Sequence, residues 1–228
     1  MQSLMLQLFE DTLPAHCPPV FLPATPRALY VSEGSLWVET ADAGQWLPAG
    51  TACVGQQGTT LMNEQTEEHT TTRLWRWELT ALAPPAGSTL PSAPATTSVL
   101  KLQAEITLDT RFDWLMRCDE VCFPPGGVAL THVHQGPGIR ICAEGEISIE
   151  TQGSRHTYSA GQAWFESGPA PVLAPTTPRE ATRFIRCFLL PRALKGRSSI
   201  RYVRAEDAHA PKVQTYRVFA ERDISLPE

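Results

Sequence analysis

The segment Gly127-Val128-Ala129-Leu130-Thr131-His132-Val133-His134 sets two imidazoles two residues apart. On a strand such a pair projects to one face, here together with Val128 and Leu130. Apolar side chains below two imidazoles at a rim suit a divalent ion, and neutral imidazole favours Fe, Mn, Ni, Cu or Zn. The plain alternative is a pair of exposed histidines ending a strand, because His-x-His is a short pattern. Glu166 closes the apolar run Ala163-Trp164-Phe165, where a buried carboxylate needs a partner. With His132 and His134 it would complete a two-histidine, one-carboxylate set with open positions for oxygen or substrate, or serve as a base. Its alternative is a turn residue in water.

The elements that carry these residues are short strands, and they occur twice. LYVSEGSLWVET (29–40) lies over RICAEGEISIET (140–151) at a shift of 111 positions, and Ala49-Gly50 lies over Ala160-Gly161 at the same shift. TRLWRWEL (72–79) lies over TRFIRCFL (182–189) at a shift of 110. Three segments in order and nearly in register mark an internal repeat. Glu146-Ile147-Ser148-Ile149-Glu150 alternates polar and apolar, as does 72–79, which is the period of a strand. Gly- and Pro-rich turns separate the runs, and no long helical pattern occurs. The expectation is an all-β chain: a first domain over 15–80, a linker rich in Pro, Ala, Ser and Thr over 81–98, and a second domain over 99–192. The extension 193–228 would add a strand, cover a barrel mouth or reach a partner subunit.

The 228 residues carry 19 Lys+Arg against 24 Asp+Glu, a formal charge of −5, which argues against nucleic acid or an anionic membrane as partner. No apolar run approaches the ~20 residues that span a bilayer. The opening segment has no basic region and already carries Glu10 and Asp11, so a cytoplasmic location is expected. The six cysteines (17, 53, 118, 122, 142 and 187) read as free thiols: Cys118 and Cys122 on one strand would stand about 13 Å apart, too far to bridge. Cys142 reads as a small buried apolar residue rather than a nucleophile. His16, His69, His156 and His209 have no constellation around them.

Taken together these features resemble the cupin superfamily. Its first motif sets a Gly, a His-x-His, a Glu and a second Gly in order, and Gly127, His132, His134 and Gly145 stand in those places. AEGEISIE (143–150) is similar to the strand–turn–strand that ends the motif, and Gly161 to Pro169 loosely matches the second motif. Two ligand positions of the family are changed: Gly138 stands where the Glu is usual and Val172 where the second motif has its His. Arg140, two residues beyond that Glu position, shares its inward side and could clamp a carboxylate or phosphate through two parallel hydrogen bonds. Its alternative is a structural ion pair, with Glu166 as a natural partner.

The resemblance implies two jelly-roll β-barrels and, usually, a homodimer. It implies a metal-dependent dioxygenase, isomerase or lyase acting on a small anionic molecule in the second barrel. His132 and His134 would hold Fe, Mn, Ni or Zn, Glu166 would be the catalytic acid–base or third ligand, and Arg140 would bind substrate. The alternatives are a non-catalytic barrel that binds a small ligand, or a structural and assembly protein. A shift of 111 places Phe21, Pro23, Leu29 and Gly55 at the four positions in the first repeat, so that copy reads as structural.

Overall fold

Both repeats fold as pairs of antiparallel sheets with an apolar interior between them. The computed structural model describes residues 1–63, 70–82 and 95–228. Contacts divide the chain into residues 1–111 with 222–228, and residues 112–221.

The first unit runs through β1 (Gln2–Leu13), β2 (Val20–Leu22), β3 (Arg27–Glu33), β4 (Ser35–Glu39), β5 (Gly44–Pro48), β6 (Thr51–Gly55), β7 (Thr59–Met62), β8 (Thr72–Ala81) and β9 (Thr97–Leu108). One sheet has the order β6-β3-β8-β1-β9 and the other β2-β7-β4-β5. Leu29, Val31 and Leu74 of the first sheet pack on Val20, Leu36 and Leu61 of the second.

The second unit repeats the plan with β10 (Trp114–Phe123), β11 (Val128–His134), β12 (Gly138–Glu144), β13 (Glu146–Thr151), β14 (Ser154–Ser159), β15 (Ala163–Glu166), β16 (Val172–Pro175) and β17 (Thr182–Pro191). β18 (Ile200–Tyr202), the short helix α1 (Ala205–His209) and β19 (Thr215–Ile224) follow. The sheet orders are β15-β12-β17-β10-β19 and β14-β13-β16-β11-β18. The repeated Glu-Gly pairs are the β3–β4 and β12–β13 turns, where Gly34 and Gly145 take φ of 75° and 71°. A side chain at Gly145 would meet the Ala181 carbonyl at 2.4 Å, so only glycine fits there.

The strand content and the repeat agree with the all-β expectation, but the boundaries differ. β1 lies ahead of residue 15 and pairs with β8 from Leu4↔Ala81 to Leu13↔Thr72. β9 pairs with the other edge of β1, so residues 97–108 complete the first unit rather than open the second. Positions 83–94, most of the linker expected over 81–98, lie outside the described residues, as does His69. The extension does add strands: β18 joins β11 and β19 joins β10. All six cysteines are free, and burial raises the Cys142 thiol to about 11, in keeping with an apolar role. Among the described residues no helix is long and apolar enough to cross a membrane.

Candidate functional site

A β-bulge decides where the two histidines go. β11 pairs with β16 as Ala129↔Ala174 and then His132↔Val172, so three steps on one strand match two on the other. The extra residue switches the inward parity from odd to even. Ala129, not Val128 or Leu130, is therefore the core residue beneath the imidazoles. The apolar pattern Val-Ala-Leu reads equally well in either parity, which is why simple alternation misplaced it. His132 and His134 are 6% and 4% exposed, so they do not end the strand in water. Their ring centroids are 4.9 Å apart, with the rings edge to face.

Both rings line a cavity of about 300 Å³ inside the second unit, together with Arg140, Glu166, Arg186 and Arg117. On each contributing strand an apolar residue is followed by a polar one at the same end. In sequence, Val121 follows Arg117 and Asp119 on β10, Phe184 precedes Arg186 on the antiparallel β17, and Trp164 precedes Glu166 on β15. The registers align these levels: Val121↔Phe184 beside Asp119↔Arg186, and Cys142↔Phe184 beside Arg140↔Arg186. The cavity thus has an apolar half bounded by Phe123, Ile147, Ile149, Trp164 and Phe184, and a polar head.

Hydrogen bonds fix the state of that head. His132 Nδ1 lies 2.8 Å from the Leu130 carbonyl, which can only accept, so Nδ1 carries the proton and Nε2 is a bare acceptor. His134 Nδ1 bonds Ser199 Oγ at 3.1 Å, and its Nε2 faces the donor Arg186 Nη1 at 3.5 Å. Burial above all, then the Arg186 and Arg140 guanidiniums, hold His134 well below the usual imidazole value. His132 is lowered too, chiefly by burial, with Glu166 pulling the other way. Both are neutral near pH 7.

Arg186 is held by Asp119 in a two-pronged contact of 2.5 and 3.1 Å. Glu166 accepts from Trp164 Nε1 at 2.8 Å through Oε1. Arg140 donates through Nη1 to the Gly138 carbonyl at 2.6 Å, and its Nη2 stands 2.9 Å from Glu166 Oε2. Neither Arg140 Nη2 nor Glu166 Oε2 completes a hydrogen bond, although both are buried.

The C-terminal extension closes the polar head. β18 pairs beside the histidines, His132↔Tyr202 and His134↔Ile200, and Ser199, Tyr202, Lys212 and Gln214 line the cavity. Buried Arg117 pins this segment, donating to the carbonyls of Arg197 and Leu194 at 2.8 and 2.7 Å and to Glu221 at 2.8 Å.

The four expected residues therefore meet in one place, but they do not fit a divalent ion. His134 Nε2 and Glu166 Oε2 are 4.0 Å apart, and Arg140 and Arg186 stand beside those two donor atoms at 2.9 and 3.5 Å. A dication there would lie against two guanidiniums, a repulsion that a low-dielectric interior magnifies. Among the described residues no group of three or more His, Cys, Asp or Glu side chains is arranged to hold a metal. In the arrangement seen, the expected metal pair His132 and His134 makes hydrogen bonds through Nδ1 instead, to the Leu130 carbonyl and Ser199 Oγ. Glu166 is not a turn residue in water either, being bound to Trp164 and set beside Arg140.

Arg186, Arg117 and Asp119 were missed. The signal for Arg186 was an arginine at the same place in both repeats, Arg76 and Arg186, inside the central strands. The first unit has buried polar groups of its own, at other positions. The positions compared are indeed apolar, but Arg27, Glu78, Arg76 and Asp11 form a buried ionic chain with links of 2.7, 2.8 and 2.6 Å. Ser98 joins it at Asp11 and at Arg76. β2 is only three residues long and has no counterpart of the histidine-bearing end of β11.

No family model matches the sequence, and no curated protein does. Solved structures do match. AerE from Microcystis aeruginosa is 12% identical with a TM-score of 0.56, over 80% of this chain and 87% of that one. The 11S allergen from Cocos nucifera L. is 10% identical with a TM-score of 0.59, over 87% and 83%. Pumpkin seed globulin is 8% identical with a TM-score of 0.56, over 80% and 76%. Identities this low speak to the fold alone: the chain has a bicupin-like, all-β fold of the kind seen in these globulins.

Proposed function

We propose that the second barrel is a metal-independent binding site for a small molecule with an apolar body and an anionic head. The carrying observation is the axial division of the cavity, aromatic and aliphatic on one side and cationic on the other. Four cationic side chains line it (Arg117, Arg140, Arg186 and Lys212) against one carboxylate, Glu166. Asp119 and Glu221 back two of those arginines. The balance that faces a ligand is positive, which favours an anion.

Arg140 carries the head-group contact through Nη2, which is ion-paired with Glu166 at 2.9 Å but makes no hydrogen bond within the protein. A cavity of about 300 Å³ sits at the small end of the range for ligand sites. The covering segment, residues 198–216, excludes water and so strengthens each polar contact inside. A metal-dependent enzyme is the weaker reading because the donor atoms are already flanked by guanidiniums.

Titration calorimetry of the full chain with phenylacetate tests the proposal. Saturable one-to-one binding is expected, weakened by about 10- to 100-fold in Arg140→Met, the loss of one charge-assisted contact. Absence of binding in the wild-type chain would overturn it, as would an unchanged affinity in Arg140→Met.

A further inference from the structure

We infer that the ligand of this cavity is a 2-hydroxy carboxylic acid with an apolar substituent. The inference rests on the ligand-binding reading above and narrows it from anions in general to one class. It comes from counting the polar atoms that the protein leaves without a hydrogen bond at the polar head, two of which touch only as an ion pair.

Three atoms matter. Arg140 Nη2 is a buried donor without a hydrogen bond, and Glu166 Oε2 is a buried acceptor without one. Their residues are 1% and 9% exposed. His132 Nε2 is a third open atom, an acceptor by default because Nδ1 spends the ring's proton on the Leu130 carbonyl. Buried polar atoms are nearly always hydrogen-bonded, so a buried donor and acceptor in a cavity that share only an ion contact describe the partner that would complete them.

A plain carboxylate answers only the donor. It would also set its own negative oxygens near Glu166 Oε2, which lies 2.9 Å from the same Nη2. A hydroxyl on the adjacent carbon supplies the proton that Glu166 Oε2 can accept, while the carboxylate takes Nη2. An alcohol alone leaves the arginine unanswered. The pairing of acceptor and donor on neighbouring carbons is therefore what the head requires, and Trp164, Phe184 and Val121 offer the surface for the substituent.

Trp164 makes a clean variant available. Its Nε1 donates to Glu166 Oε1, so in Glu166→Gln the amide oxygen stays toward Trp164 and the NH2 group replaces Oε2. The acceptor becomes a donor with little change of shape. The test measures mandelate, phenylacetate (no hydroxyl) and 1-phenylethanol (no carboxylate) on the full chain by calorimetry. Circular dichroism and the melting temperature check that Glu166→Gln is folded.

In the wild type, mandelate is expected to bind about 10- to 100-fold more tightly than phenylacetate, with 1-phenylethanol weakest, the span of one hydrogen bond to a charged group. In Glu166→Gln, mandelate should fall to the affinity of phenylacetate. Equal wild-type affinities for mandelate and phenylacetate would overturn the hydroxy-acid inference and leave the anion-binding reading standing. No binding of either acid would overturn both. A preference for mandelate that survives in Glu166→Gln would overturn the role given to Glu166.

Discussion

Arg140 and Glu166 approach to 2.9 Å at the head of the cavity without completing a hydrogen bond between the approaching atoms. β12 and β15 pair as Gly138↔Glu166 and Arg140↔Trp164, so the two charged residues sit diagonally rather than opposite one another. Charge balance holds them together, and both residues line the cavity.

Removing one member of this pair leaves the other charge buried and alone. Glu166→Leu and Arg140→Met are each expected to lower stability by about 3–5 kcal/mol, whereas the double variant costs much less than their sum. Urea unfolding of the four proteins forms the cycle. Strict additivity would show that the two side chains are not energetically coupled.

The guanidiniums beside the imidazoles make a second expectation. Protein purified without a histidine tag should contain far less than one equivalent of Fe, Mn, Ni or Zn by elemental analysis. Prolonged chelation should leave its melting temperature unchanged, since no ion contributes to folding. A stoichiometric metal that His132→Ala/His134→Ala loses would restore the chelating arrangement and remove the metal-independent reading.

The repeat and the strands were legible because period-two patterning and the Glu-Gly turns are local signals. β1 was not, because both of its faces are largely buried and its apolar residues fail to alternate. Strand β8 shows the same effect inside out. Its alternation sets Trp75 and Trp77 apart from Arg76 and Glu78 without saying which side is inward, and it is Leu74, Arg76 and Glu78 that share the parity of the barrel interior. His132, His134, Arg140 and Glu166 could be named from pattern and family resemblance. Their chemistry could not, since it depends on Arg186 and Asp119, more than fifty positions from the histidines or on another strand, and on a bulge that apolar neighbours hide.

Glu221 ties the covering segment down twice, accepting from buried Arg117 at 2.8 Å and from the Gly196 backbone at 2.7 Å. Glu221→Gln keeps the shape and weakens both charge-assisted contacts. Hydrogen exchange is expected to speed up at Val203, whose amide bonds the Thr131 carbonyl, and at its neighbours in β18. Amides of β13 should be unaffected. Uniform acceleration across the unit would indicate global destabilisation instead of a loosened cover.

The buried histidines also set a pH dependence whose sign can be worked out. Both have folded-state values below the usual imidazole value of 6.5, His134 by more, because burial and the facing Arg140 and Arg186 disfavour a charged ring. Glu166 opposes this at His132 without reversing it. The unfolded chain therefore binds protons that the folded chain refuses, and stability is complete above about pH 6.5 and declines as the pH falls below it. The decline should be visible from about pH 6.5 to 5, above the main carboxylate range. His132→Gln/His134→Gln should flatten the melting temperature across that interval while costing stability at pH 8, where the native rings make their neutral hydrogen bonds. A wild-type melting temperature that rises on acidification through this window would mean that the imidazoles gain a proton on folding. The neutral, hydrogen-bonding state assigned to them would then be wrong.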